Sequence, residues 1–420
     1  MKKILILALA VMALTVACKK ETPTGTVLVE TLDAEALSPL SIVVKGKLSP
    51  ELRGSSSVTN WGFYWGTDPS DLGVYNEGGE LTNGEFSAKL SELPPNSKVW
   101  YKAYCRTITT KFYGDVKSLT VPSFEEVVDL GLSVKWRAWN LGASRPEEYG
   151  DYYAWGEIEP YYTSFNPLVW KRDKEEGYGW SSYSLSDGGS FMTKYYPCGS
   201  RGKIDFRTQL TTGRDGDDVA SVLLGGNWRM PTVAELDELL ENCTPRWDDL
   251  LSARGVRLYS NKPGFTDNFI FIPNGGFFVG RNFNDCGANE AGIWSSSIDP
   301  DDPFFAYYTG FATNYAERHK CLRYFGHNIR PVLPDAPTVA VTSISLSQTS
   351  LTMKPGQLVS LSATVYPSNA AEQKVFWTSS DSDIASIYQG DKILAGHLGK
   401  ATITAGCGGV TATCEVEVTE

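Results

Sequence analysis

Apolar and polar positions alternate along both ends of the chain. Near the C-terminus, Val341 to Leu346 alternates, and Leu358 to Val365 splits into one face of Leu358, Ser360, Ser362 and Thr364 and another of Val359, Leu361, Ala363 and Val365. Thr402–Cys407 and Thr411–Val418 repeat the pattern on either side of Gly408-Gly409, a dipeptide suited to a two-residue hairpin that sets Cys407 opposite Val410. Between 26 and 122, short β-branched or aromatic runs (Val27–Val29, Ile42–Val44, Trp61–Trp65) are broken by Gly, Ser, Pro and Asp clusters. In the late run, Val99, Tyr101, Ala103 and Cys105 fall on one face and Trp100, Lys102, Tyr104 and Arg106 on the other. Both ends therefore predict β-sandwiches.

From about 127 to 334 the periodicity weakens. Short strands and long Gly/Ser/Asn loops fill most of this stretch, which also holds Trp136, Trp139, Trp155, Trp170, Trp180, Trp228, Trp247 and Trp294. Buried tryptophans are expected to hold so loop-rich a body together. One helix signal is clear. Thr232 followed three residues later by Glu235 forms a capping box, and Val233, Leu236, Leu239 and Leu240 share a face, which predicts a helix from Val233 to Glu241.

At the N-terminus Lys2 and Lys3 precede an uncharged apolar run, Ile4–Val16. A bilayer-spanning helix needs about 20 residues, so this run reads as the core of a secretory signal. It ends at Ala17-Cys18, with Lys19 to Gly25 as a polar tether. The junction resembles a bacterial lipobox, although Thr15 stands where leucine is usual. The resemblance implies a signal peptide over 1–17, lipidation of Cys18 and, because Lys19 rather than aspartate follows the cysteine, an outer-membrane destination. Two or more acyl chains make such an anchor stable. An ordinary cleaved signal with an incidental cysteine is the alternative.

Of 420 residues, 49 are acidic and 38 basic, so the formal net charge is 38 − 49 = −11. That balance argues against nucleic acid as a partner. Only His319, His327 and His397 are histidines, which disfavours multi-imidazole metal sites. Beyond Cys18 the cysteines are Cys105, Cys198, Cys243, Cys286, Cys321, Cys407 and Cys414, with no C-x-x-C spacing.

Three further resemblances follow from local blocks. Leu93 to Tyr104 resembles the late strand of a fibronectin type III domain, with Val99 where that family carries its corner tyrosine. Lys354-Pro355-Gly356, Val375–Asp381, Ile384-Ala385 and Gly399–Ala405 resemble the group-two bacterial Ig-like domain of invasin- and intimin-type surface proteins, in which the domain serves as a stalk or spacer. Trp377 is expected in its core. In the middle, Val128–Trp136, Asn140–Ser144, Tyr149–Glu157, Gly225–Thr232, Trp294–Ser297 and Gly326–Val332 resemble the Fibrobacter major paralogous domain, of the C-type-lectin-like, formylglycine-generating-enzyme-like fold. The expected class is mainly β and multidomain: a fibronectin type III-like sandwich over 26–122, a loop-rich α+β C-type-lectin-like domain over 127–334, and an Ig-like sandwich over 335–420.

The resemblance implies a fold rather than an activity. The paired cysteines of the formylglycine-generating enzymes have no counterpart near Cys321, so no catalytic residue, metal or cofactor is assigned. Asp215-Gly216-Asp217-Asp218 offers oxygen ligands for calcium but equally reads as an acidic turn. In lectin-like relatives the loops before the final strand form the ligand face. There Tyr307, Phe311, Asn314, Tyr315, Arg318 and His319 combine flat rings with amide, guanidinium and imidazole groups. From the period of two, about half of Tyr307, Tyr308, Phe311 and Tyr315 should be buried. Tyr161, Tyr162 and Trp170 make a second aromatic patch in what reads as an insertion loop. Arg330, before Pro331, is expected to be structural and to pair with a buried carboxylate. The function expected is noncatalytic recognition of a glycan or cell-surface protein by a lipid-anchored protein. A stalk without its own ligand and an uncharacterised enzyme on the same scaffold remain alternatives.

Overall fold

The structure, a computed structural model, describes residues 27–165, 168–189, 191–251, 253–284, 290–313 and 315–420. The expected signal peptide, Cys18, the tether, Cys286 and Asn314 lie outside the described residues. The chain is mainly β and multidomain, and it divides into two compact units, one ending at Ser123 and the other running from Phe124 to Glu420.

The first unit is a sandwich of two antiparallel sheets. One sheet is built on β3 (Ser41–Leu48), with β1 (Val29–Thr31) and β2 (Glu35–Ser38) sharing one of its edges and β6 (Glu85–Leu90) on the other. The second runs β5 (Val74–Glu77), β4 (Val58–Gly66), β7 (Lys98–Thr107), and then β8 (Lys111–Tyr113) and β9 (Lys117–Thr120) side by side on the far edge of β7. A single helical turn, α1 (Pro50–Arg53), follows β3. Alternation sends Ile42, Val44, Phe63, Val99, Ala103 and Cys105 into one shared core. The tyrosine that pins backbone is Tyr101, two residues beyond Val99. Its hydroxyl donates to the Leu32 carbonyl at 3.1 Å and accepts from the Ala34 N–H at 2.7 Å.

The second unit begins with β10 (Val127–Val128) and β11 (Lys135–Arg137), followed by the hairpin β12 (Tyr162–Phe165) and β13 (Leu168–Trp170). Two helices come next, α2 (Val219–Leu224) and α3 (Val233–Asn242). Thr232 caps α3 with the reciprocal Glu235 bond that the sequence predicts. A meander of β14 (Cys243–Leu250), β15 (Ala253–Ser260) and β16 (Phe269–Pro273) leads to the hairpin β17 (Phe277–Val279) and β18 (Asn282–Asn284). A second meander joins β19 (Glu290–Ile298), β20 (Phe305–Ala312) and β21 (Tyr315–Leu322), and β22 (Val332–Leu333) returns to β11. The β19–β21 sheet feeds two cores. Ala291, Ile293 and Phe311 enter one with the buried face of α3, and Trp294, Ala306 and Tyr308 enter the other with Trp155 and a dense set of tyrosines.

Two buried arginines fix the loops around these cores. Arg330 donates to Asn140 Oδ1 (2.9 Å) and to the carbonyls of Arg137, Ala138 and Phe271 at 3.2, 3.0 and 2.7 Å. Its partners are thus neutral oxygens, not the expected carboxylate, and burial lowers its pKa to about 9. Arg323 lies over the Trp155 ring at 4.7 Å and donates to Tyr183 Oη and to the carbonyls of Lys194, Tyr195 and Pro303. Carbonyl cages of this kind use the five guanidinium donors to join several backbone segments at once. The acidic turn is likewise structural. Asp218 caps α2 and accepts from the Ser221 and Met230 N–H groups, while Asp217 accepts from Tyr195 Oη at 2.6 Å.

The C-terminal part pairs β23 (Ser343–Leu346) with β26 (Ala363–Tyr366). It sets a sheet of β24 (Ser350–Met353), β31 (Val410–Val418), β30 (Gly399–Cys407) and β27 (Phe376–Ser379) against one of β25 (Leu358–Ser360), β29 (Lys392–Ala395) and β28 (Ala385–Tyr388). Gly408 and Gly409 turn with positive φ (57° and 84°), and Cys407 faces Val410 as the spacing predicts. Trp377 packs against this core. This sandwich docks on the loop around Asp205–Gln209. Glu372 accepts from Thr208 N–H (2.6 Å) and Oγ1 (2.8 Å), and the Phe206 ring lies so close over Gly406 that a Cβ there would overlap it.

Candidate functional site

The candidate face is built on β20 and β21. In their register Tyr308 faces His319 and Ala312 faces Tyr315. The His319 ring stacks on Tyr308 with centroids 5.4 Å apart and meets Tyr315 edge-on at 5.5 Å. Gly310 makes this possible, because a Cβ at that position would press on the imidazole. On the opposite face the Arg318 guanidinium sits 5.5 Å from the Tyr307 ring centroid and binds Asp237 of α3 at 2.8 Å, while Lys320 binds Asp299 at 2.5 Å. Tyr307, Tyr315 and His319 are half-buried and Arg318 is exposed. Phe311 is fully buried among α3 and β19 side chains, so it supports the sheet rather than presenting a ring.

The stack continues inward. Tyr308 lies on His327 (4.5 Å), whose ring also meets Trp294 edge-on at 4.7 Å and Phe277 at 5.4 Å. Cys321 Sγ is 3.3 Å from His327 Nε2. A reactive cysteine would need a thiolate beside an imidazolium. Here burial lowers the His327 pKa to about 3 and pushes the Cys321 thiol well up, so both groups are neutral at physiological pH and the contact is a packing hydrogen bond.

The second aromatic patch folds inward as well. Tyr161 stacks flat on Tyr178 at 4.2 Å under the Lys174 ammonium, and Tyr162 Oη accepts from the Tyr152 N–H at 2.9 Å. Phe278, from β17, fills the space between Tyr162, Trp170 and Tyr178. Tyr161 and Tyr162 are therefore core residues, correcting their expected place on an exposed loop. Only Trp170 keeps a half-exposed ring, beneath the Arg281 guanidinium at 5.4 Å.

A hollow of about 360 Å³ opens at the end of the β20–β21 hairpin. Its floor comes from one face of the first meander, Cys243, Pro245 and Trp247 on β14 against Val256 and Leu258 on β15, with Leu240 of α3 beside them. Tyr315 and Thr313 form the hairpin side. This hollow joins Tyr315 to Trp247, which the sequence alone marks only as one of eight tryptophans between 127 and 334. The signal for it was the alternation Cys243-x-Pro245-x-Trp247 just after the capped helix. The lining is apolar and aromatic, and it suits a flat or aliphatic group. Among the described residues, no cluster of three or more His, Cys, Asp or Glu could hold a metal ion.

Residues 340–418 match the bacterial Ig-like domain (group 2), less than a fifth of the chain. Kappa-carrageenase of Pseudoalteromonas carrageenovora is 38% identical over 66 residues, 16% of this chain. The chain spans only 17% of the length of that curated relative. Among solved structures, the sensor domain of the anti-sigma factor RsgI4 of Pseudobacteroides cellulosolvens is 13% identical, with 24% of this chain and 99% of that one covered and a TM-score of 0.19. The sixth fibronectin type III domain of human fibronectin type III domain containing protein 3 is 12% identical (23% and 84% covered, TM-score 0.18), and domains 1–6 of the surface layer protein SbsC are 10% identical (94% and 54% covered, TM-score 0.18). Likenesses at these scores carry no functional inference.

Proposed function

We propose that the chain is a lipid-anchored protein of the outer membrane, displayed at the cell surface, whose central module recognises a glycan or a cell-surface protein without catalysis. The Trp247–Tyr315 hollow carries this reading, because it offers a seat between aromatic and aliphatic side chains at the end of the β20–β21 hairpin. The sequence blocks between Val128 and Val332 that resemble a C-type-lectin-like domain support it, since such domains place ligands on the loops before the final strand. The apolar run before Cys18 supports the anchor, and the group-two Ig-like match at 340–418 supports a surface setting. The test is binding of the full chain to glycan and surface-protein arrays, with Trp247→Ala and Tyr315→Ala alongside. A signal that both variants weaken supports recognition at the hollow, and equal signals place the ligand elsewhere. Labelled palmitate should enter the wild type but not Cys18→Ala.

A stalk without its own ligand is the second reading. The Glu372–Thr208 and Phe206–Gly406 contacts favour it, because they fasten the C-terminal sandwich to the central module as a spacer would require.

A further inference from the structure

The outer face of the second sheet in the N-terminal sandwich carries a side-chain set that its fold does not require. Along β7 the outward positions read Lys98, Trp100, Lys102, Tyr104 and Arg106, a strict alternation of cation and ring. At about 3.3 Å per residue, successive members stand roughly 6.6 Å apart. Neighbouring strands widen the platform with Tyr64 on β4, Tyr75 on β5 and Tyr113 on β8. Tyr64 lies 4.9 Å from Tyr104, 5.8 Å from Tyr75 and 6.1 Å from Tyr113. Tyr104 is the buried floor, while Tyr75 and Tyr113 remain 40% and 48% exposed.

Asn60, Tyr64, Tyr75, Glu77, Tyr104, Arg106 and Lys111 enclose a hollow of about 220 Å³. Asn60 Oδ1 accepts from Tyr75 Oη (3.1 Å) and Tyr104 Oη (2.6 Å), which fixes the rings and orients the amide. Tyr113 lines a separate hollow of about 580 Å³ beside β1, whose lining includes Glu30, Asp115 and Lys117. The ammonium of Lys102 lies 4.8 Å from the Tyr113 ring centroid, and that of Lys111 is 5.6 Å from that of Tyr64. Among the described residues, none of Lys98, Lys102, Arg106 and Lys111 has a carboxylate within ion-pair distance. The hollow sets Arg106 and Lys111 against the single acid Glu77, and Lys98 and Lys102 stand on the same face of β7, on a chain of net −11.

We propose that this face binds an acidic polysaccharide, with Tyr64, Tyr75 and Tyr113 stacking on sugar rings and Lys102, Arg106 and Lys111 pairing with the anionic groups. Rings alone would serve a neutral glycan equally well. The unpaired cations, about 13 Å apart along β7, favour a polymer carrying anionic groups at intervals over a single sugar. Glu77 and the Asn60 amide are placed to bond sugar hydroxyls.

The test is affinity electrophoresis of the full chain in gels containing polygalacturonate, dextran sulfate or neutral dextran, with anisotropy of a labelled oligothymidylate in parallel. Retardation is expected in at least one acidic gel, and which one responds separates carboxylate from sulfate recognition. Added salt should weaken it. Tyr75→Ala/Tyr113→Ala should weaken binding at least tenfold, and Lys102→Glu/Lys111→Glu should abolish it. Unchanged melting curves would show that both variants fold. Absence of retardation in both acidic gels, equal retardation by neutral dextran, undiminished binding by the variants, or tighter binding to the oligonucleotide would each overturn the proposal.

Discussion

Acidification should destabilise the second unit through one histidine. His327 is fully buried between Tyr308, Trp294 and Phe277, its Nδ1 has no hydrogen-bond partner among the described residues, and burial lowers its pKa from the ordinary 6.5 to about 3. Between those values the unfolded chain binds a proton that the folded chain refuses, so stability falls as pH drops. From pH 7.5 to pH 5 the loss is about 1.5 pKa units, or about 2 kcal/mol. For a unit running from Phe124 to Glu420, at about 2.1 cal/mol/K per residue, that is roughly 3 °C in Tm. Asp218 acts in the opposite direction. Its pKa is raised to about 6 by burial, so protonation on the way to pH 5 favours the fold. The histidine contribution is therefore read as a difference between wild type and His327→Leu, which carries the same Asp218. Thermal unfolding of both proteins at pH 7.5 and pH 5 measures it. The variant should begin less stable, because its side chain no longer fills the stack, and should lose less on acidification by about 2 kcal/mol. Equal losses in the two proteins would refute the assignment of the acid sensitivity to His327.

Other substitutions probe the scaffold. Arg330→Met would leave the carbonyls of Arg137, Ala138 and Phe271 without their donor. At about 1–3 kcal/mol for each unsatisfied group, less the relief from not burying a charge, denaturant titration should show a loss of several kcal/mol. Glu372→Ala removes two charge-assisted hydrogen bonds, each worth about 1.5–3 kcal/mol, and should speed amide hydrogen exchange at Thr208 while the C-terminal strands stay protected. Thr232→Ala should cost about 1 kcal/mol by equilibrium unfolding through the lost cap of α3.

Features set by nearest neighbours could be read from the sequence. The Thr232–Glu235 capping box, the Gly408-Gly409 turn and the two faces of Lys98–Thr107 each depend on residues a few positions apart. The partners of Arg330 could not, since three of the four are backbone oxygens, one of them 193 residues away, and leave no trace in side-chain pattern. Tyr161 and Tyr162 illustrate the same limit. Their run reads as an exposed insertion, but Tyr178 stacks on Tyr161, and Phe278, contributed by a distant hairpin, packs on Tyr162. Trp247 was visible as a tryptophan, whereas its place beside Tyr315 follows only from the meander that brings β14 and β15 to the end of the β20–β21 hairpin.

The central claim is that the Trp247–Tyr315 hollow is the seat of recognition. Its most direct test measures dissociation constants for the array ligand that binds the full chain most tightly, comparing wild type with Trp247→Ala and Tyr315→Ala. Recognition at the hollow predicts at least tenfold weaker binding in each variant with folding intact. Unchanged affinity in both, or no ligand on any array, would contradict it.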